Sequence, residues 1–159
     1  MQIISIDPGS AESAFVLLND DRVIEHGKEA NDGILLRLRR GWQTLTVPVA
    51  IEGIASYGMP VGKEVFDTCM WSGRFREAWE NRGRAVEIIY RREVKLFHCE
   101  TARANDANIR AALIDRYGPG KDIAIGKKSA PGPLFGLKGD EWSALAIAVA
   151  AMRRQVHRS

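Results

Sequence analysis

The chain begins MQIISIDPG, an apolar run from Met1 to Ile6 that ends on one carboxylate and a Pro-Gly pair. Ile3, Ile4 and Ile6 favour a strand, and apolar side chains on successive positions need cover on both faces, so the run belongs in the middle of a sheet. Pro8 has no donor for a ladder and Gly9 accepts backbone angles that other residues avoid, which ends the strand abruptly. Asp7 is thereby placed at a strand end, where side chains reach into an open crevice. Asp-Pro-Gly is also ordinary turn chemistry. Whether Asp7 does more depends on which other carboxylates arrive beside it.

The rest of the chain can be read around that strand. Ser13 to Leu18 and Arg22 to Gly27 are two further strand-like runs, joined by a hairpin turn at Asn19-Asp20-Asp21. Ile34 to Leu45 is expected to be a crossover helix with Ile34, Leu35, Leu38, Trp42 and Leu45 near one face, weakened at Gly41. Val47 to Gly53 is a second buried strand, and it too ends in an acid and a glycine, Glu52-Gly53. A helix between two buried strands implies a right-handed crossover that lays them parallel, so Asp7 and Glu52 leave the sheet at the same edge.

Beyond a glycine-interrupted loop carrying Tyr57 and Met59, Lys63 to Asn81 reads as a long helix with Val65, Phe66, Cys69, Met70, Phe75 and Trp79 available for packing. Arg84 to Tyr90 is the last strand, and Arg91 to Lys95 starts a short basic helix or turn. A helix follows to Tyr117, with Asn105 or Asp106 as its N-cap and Gly118-Pro119 as its stop. Residues 118–139, rich in Gly, Pro and Lys, suggest a long mobile excursion. Asp140 to Arg154 closes the chain as a helix apolar on nearly all sides, with acids at its N-terminus and arginines at its C-terminus, as the helix dipole favours. The sum is one α/β domain over 1–159. It has a five-stranded mixed sheet, three antiparallel strands then parallel ones, with helices on both faces.

At 159 residues, 45% hydrophobic and 27% charged, the chain can bury a full core. Cys69 and Cys99 form no metal knuckle or disulfide framework, and no segment reads as a signal peptide or membrane span, so a cytoplasmic protein without a membrane partner is expected. The net charge of +3 has its basic residues concentrated between Arg74 and Lys128, which admits a polyanion as partner.

Three element ends carry acids: Asp7, Glu52, and Asp140 with Glu141. Carboxylates gathered in one crevice repel unless a cation joins them, and hard oxygen donors suit Mg²⁺, with Mn²⁺ as a substitute. Two such ions about 4 Å apart activate water and stabilise the leaving oxygen in phosphodiester hydrolysis. Asp7, Glu52 and Asp140 are therefore the expected catalytic residues, and Glu141 a further metal ligand.

These pieces resemble a known family. Ile6 to Gly9 (IDPG), Ala50 to Gly53 (AIEG), the run from Val94 to Gly118 and Gly139 to Ala150 (GDEWSALAIAVA) are similar to the RNase H-like RuvC-type Holliday-junction resolvases, in particular the short versions carried by bacteriophages. The resemblance covers nearly the whole chain and implies a Mg²⁺-dependent endonuclease that cuts branched DNA and leaves a 5′ phosphate. It also implies a homodimer, with the long helix from Lys63 at the interface. Asp7, Glu52 and Asp140 match the family's metal-binding acids, but a fourth acid expected three residues after Asp140 falls on Ser143. Lys95, Arg103 and Arg110 lie in the run that resembles the DNA-facing segment, preceded by Arg91 and Arg92, and Tyr57 matches the place of an aromatic wedge. Lys121, Lys127 and Lys128 would let the 118–139 segment close over DNA. His98 and Trp142, lacking partners at metal-ligand spacing, read as core or boundary residues.

Three other readings stay open on the residues alone. One is a junction-binding protein of the same fold with weak or no cleavage, which Ser143 favours. The others are a nucleotide-binding fragment of the actin and sugar-kinase type, and a ribonuclease H activity. Fold alone does not choose among them.

Overall fold

The computed structural model describes residues 1–43 and 45–158, the side chains up to residue 155. Strand β1 (Gln2–Asp7) pairs antiparallel with β2 (Glu12–Asn19), and β2 antiparallel with β3 (Arg22–Ala30). Helix α1 (Asn31–Arg39) carries the chain over to β4 (Val49–Gly53), which lies parallel to β1. Helix α2 (Lys63–Glu80) then leads to β5 (Val86–Tyr90), parallel to β4. The sheet order is β3-β2-β1-β4-β5. Helices α3 (Arg91–Cys99), α4 (Asp106–Tyr117), α5 (Lys121–Ala124) and α6 (Glu141–Arg158) complete the chain, with a small β6 (Gly126–Lys127) and β7 (Ala130–Pro131) hairpin before α6. No helix among the described residues is long and apolar enough to cross a membrane.

The period-2 alternation of strand side chains divides the core in two. Ile4, Ile6, Phe15, Leu17, Val49 and Ile51 face α1 and α2, where Phe75 and Trp79 are fully buried. Ile3, Ala14, Val16, Leu18 and Ala50 face α6, whose Ala144, Ala146, Ala148 and Ala151 are all buried. Ser5 also turns to this side. Its buried hydroxyl donates to the Ala144 carbonyl at 2.6 Å, which satisfies a polar group in an otherwise apolar contact and ties β1 to α6.

Three sequence expectations change here. The crossover helix ends at Arg39, short of Leu45, because Gly41, Trp42 and Gln43 adopt positive φ. Trp42 is still buried, edge-on to Phe15, from the turn that follows the helix, and Thr44 of the expected helix lies outside the described residues. In α2, Phe75 and Trp79 pack into the core as expected, whereas Phe66 and Met70 stay 59% and 68% exposed. The segment 118–139 is folded: Ala124 and Leu134 are fully buried, and a Cβ at Gly132 would lie 2.2 Å from the Ile123 carbonyl oxygen, so its glycines serve close packing as well as turns. The Asn105 cap is as expected, its side chain accepting from the Asn108 N–H.

Candidate active site

β1 and β4 run in register from Ile4↔Val49 to Ile6↔Ile51, so the next residues, Asp7 and Glu52, emerge side by side at the strand ends. Both belong to the alternation that faces α6. The row continues across the antiparallel strands, where Asp7 is opposite Ala14 and Ala14 opposite Lys28. One line across the sheet thus carries Lys28, Ala14, Asp7 and Glu52 towards the start of α6.

The turn after Asp7 is locked. Asn31 Nδ2 donates to the Gly9 carbonyl at 2.8 Å, Ser13 Oγ donates to Asn31 Oδ1 at 2.6 Å, and the Gly9 N–H donates back to Ser13 Oγ at 3.2 Å. A Cβ on Gly9 would stand 2.3 Å from the Glu12 carbonyl oxygen, so only glycine lets the chain pass there. Gly53 has the same role behind Glu52, where a Cβ would meet Ile88 at 2.7 Å and the Tyr90 ring at 2.8 Å. Both acids therefore sit on backbone with little freedom.

Burial, a hydrogen bond to Glu52, and the nearby charges of Glu52 and Asp140 push the Asp7 carboxyl up to about 9, against a partial opposing effect of Arg91. Asp7 holds a proton against Glu52 at neutral pH. Arg91, the first residue of α3, donates from Nη1 to Glu52 Oε1 at 3.4 Å and from Nη2 to Asp106 Oδ1 at the start of α4, so one guanidinium spans two acids.

Asp140 and Glu141, adjacent in sequence, part company. Asp140 is 55% exposed and accepts from Lys28 Nζ at 2.7 Å, and this bond is the main reason the Lys28 ammonium sits above the ordinary lysine value. Glu141 is buried. It accepts from His26 Nδ1 at 2.8 Å and from the Lys138 N–H at 3.1 Å, clamping the start of α6 to β3. Both bonds fall on Oε2, and through them the acid braces the start of α6 beside the cluster. Among the described residues no three acids, histidines or cysteines stand close enough to enclose a metal ion as they lie, with Asp140 bonded to Lys28.

Two clefts flank Glu52 and Arg91. The first, of about 630 Å³, runs between α3, α4 and α6 and includes Asp106, Arg110, Lys138, Asp140, Trp142 and Ser143. The second, of about 550 Å³, gathers Tyr57, Arg92 and Lys95 beside Glu52. Arg110 stacks over the Trp142 ring at 4.7 Å, and the acid one turn before it, Asp106, is engaged by Arg91. Arg103 is exposed between α3 and α4, and Lys127 and Lys128 are exposed on the β6–β7 hairpin; none of the three lines either cleft. His98 is held by a bond from Nε2 to the Ala146 carbonyl at 2.9 Å, as befits a core residue.

The sequence reading missed Lys28 and Asp106. Lys28 had a faint signal: in RVIEHGKEA, charged residues fall on both faces of a strand, with His26 and Lys28 on one and Glu25 and Glu29 on the other. Glu25 and Glu29 are accounted for by Arg37 of α1, which leaves His26 and Lys28 facing α6 with partners yet to be found.

No family model matches the chain, and no curated protein matches it. Solved structures do. Thermus thermophilus RuvC is similar over 99% of this chain and 97% of its own length, at a TM-score of 0.73 and 16% identity. T. thermophilus RuvC in complex with a Holliday junction substrate is similar over 98% and 96%, at a TM-score of 0.66 and 17% identity. The likeness is one of fold, and the chain has the RNase H-like α/β architecture of those structures.

Proposed function

We propose that this chain is a metal-dependent endonuclease that resolves four-way DNA junctions. The observation that carries the proposal is the acid group: Asp7 and Glu52 side by side, with Asp140 near enough to help hold Asp7 protonated. Crowded negative charge of this kind is relieved by a hard divalent cation, and the donor set of carboxylate oxygens fits Mg²⁺ or Mn²⁺. Asp7 and Glu52 would hold the ion, with Asp140 at the rim. A divalent ion there supplies an activated water and a counter-charge for the leaving oxygen.

The chain's own residues do the rest. With a divalent ion bound, Asp7 would release its proton to solvent, leaving both carboxylates ionised. Arg91, shared between Glu52 and Asp106, is placed to exchange a carboxylate for a phosphate of the bound strand. Arg92 and Lys95 offer phosphate contacts along the second cleft, and Arg110, braced on Trp142, offers one along the first. Tyr57, 63% exposed at the mouth of the second cleft, is available to stack on an unpaired base at a branch point. The substrate class is supported by the RuvC structure that contains a Holliday junction.

Phe66 and Met70, one turn apart on α2, are exposed apolar side chains that a second copy would cover. A dimer of this kind would match the two-fold symmetry of a four-way junction and place two cuts opposite one another.

A synthetic mobile four-way junction incubated with the purified protein in Mg²⁺, Mn²⁺ or EDTA, beside Asp7→Asn, tests the proposal. Paired symmetric nicks that need both metal and Asp7 are expected. A shifted but uncut junction under every metal condition would refute it in favour of a junction-binding protein, the reading that the neutral Ser143 supports.

A further inference from the structure

Lys28 joins the edge of the sheet to the head of α6 across 112 positions of sequence, through its 2.7 Å bond to Asp140. Exposed ion pairs are ordinarily worth little to stability, so its interest lies in position. Lys28 is in the same sheet row as Asp7 and Glu52 and on the same face. Glu141, next to Asp140, accepts from His26 and the Lys138 N–H, both at Oε2, and Ser143, one turn along α6, brings no charge.

Two cations are tethered to the acids around the site, Lys28 on Asp140 and Arg91 between Glu52 and Asp106, and Arg110 and Lys138 line the same cleft. Much of the negative charge there is thus answered before any ion arrives, and Asp140 could hold an ion only by giving up Lys28.

From this placement we infer that Lys28 is a built-in counter-cation of Asp140, a positioning residue that makes the site take one divalent ion, held by Asp7 and Glu52, in place of two. The inference rests on the nuclease reading above and deepens it. Lys28 acts through Asp140: it keeps that carboxylate at the rim and places a fixed positive charge where a second ion would otherwise be recruited.

Counting Mn²⁺ ions bound to the full chain without DNA, by titration calorimetry and by the electron spin resonance signal of free Mn²⁺, tests this directly. Wild type should bind one Mn²⁺ per chain, and Lys28→Met two. The second should disappear in Lys28→Met combined with Asp140→Asn, and Lys28→Arg should remain at one, since it restores the charge. Unchanged circular dichroism and melting would show that the surface substitution leaves the fold intact. Two ions on wild type, or one on Lys28→Met, would overturn the inference. Two ions with metal-dependent cleavage would overturn it alone, whereas no bound Mn²⁺ and no cleavage would overturn the nuclease reading with it.

Discussion

Asp7→Asn should abolish cleavage and yet make the metal-free protein more stable. The Asp7 carboxyl is raised from 3.8 to about 9, so above pH 4 the unfolded chain releases a proton that the folded chain keeps. An acid shifted in this direction contributes its stability in full below the unfolded value and loses it as pH climbs towards the folded one. The loss is about 1.36 kcal/mol for each pH unit between those limits, or about 4 kcal/mol at pH 7. Asparagine has nearly the same shape, carries no charge to release, and can donate to Glu52 through its amide where the acid donates its proton.

Urea unfolding of both proteins in EDTA at pH 6.5, 7.5 and 8.5 isolates the acid pair, because titrating groups remote from Asp7 and Glu52 cancel in the difference. The advantage of Asp7→Asn should widen by about 3 kcal/mol across that range. Saturating Mg²⁺ should narrow the gap without closing it, since the wild type alone then gains binding energy, about 2.7 kcal/mol at a hundredfold excess over Kd. A difference that is flat with pH, or an asparagine variant less stable throughout, would refute the idea that crowded, buried negative charge defines this site.

Other expectations concern the frame around it. Trp79→Ala, which empties the centre of the α1–α2 side of the core, should cost about 3–5 kcal/mol in urea unfolding while leaving the Mn²⁺ stoichiometry unchanged. Arg92→Ala and Lys95→Ala should each lower the slope of log affinity against log salt for junction binding by about 0.9, the mark of one lost phosphate contact. Phe66→Glu with Met70→Glu should shift the protein to a monomer in sedimentation experiments without loss of helix content. His98, whose burial holds it below 6.5, takes up a proton more readily when unfolded, so it opposes the gain in stability that Asp7 brings on acidification, and His98→Gln should steepen that gain in unfolding experiments between pH 5 and 7.

Much of the frame could be read from the sequence because it rests on local patterns. Two apolar runs ending in acid-glycine or acid-proline-glycine, with a helix between them, are enough to place Asp7 beside Glu52. The Asn105 cap is local too. What escaped the reading depends on meetings between distant segments. Lys28 finds Asp140 only after the hairpin and the final helix converge, and Arg91 finds Asp106 only once α3 and α4 have folded against each other. The separate fates of Asp140 and Glu141 are of the same kind: successive helix positions point about 100° apart, so the direction of approach decides which acid meets the cleft and which is buried under β3. The glycines of 118–139 misled in another way, since composition does not distinguish a glycine that loosens a chain from one, like Gly132, that makes room for a neighbouring carbonyl.

The alanines of α6 have a consequence beyond filling the core. Ala144, Ala148 and Ala151 share one face of the helix and meet the sheet with single methyl groups, and the Ser5 hydroxyl reaches the helix backbone directly at Ala144. The helix thus acts as a spacer whose thickness sets how far Asp140 stands from Asp7. Enlarging Ala148 to valine would change no charge and touch no acid, yet it would pry the helix from the sheet by a fraction of an ångström. In this protein the tolerance of the chemistry is machined several residues away, by side chains whose only relevant property is that they are small.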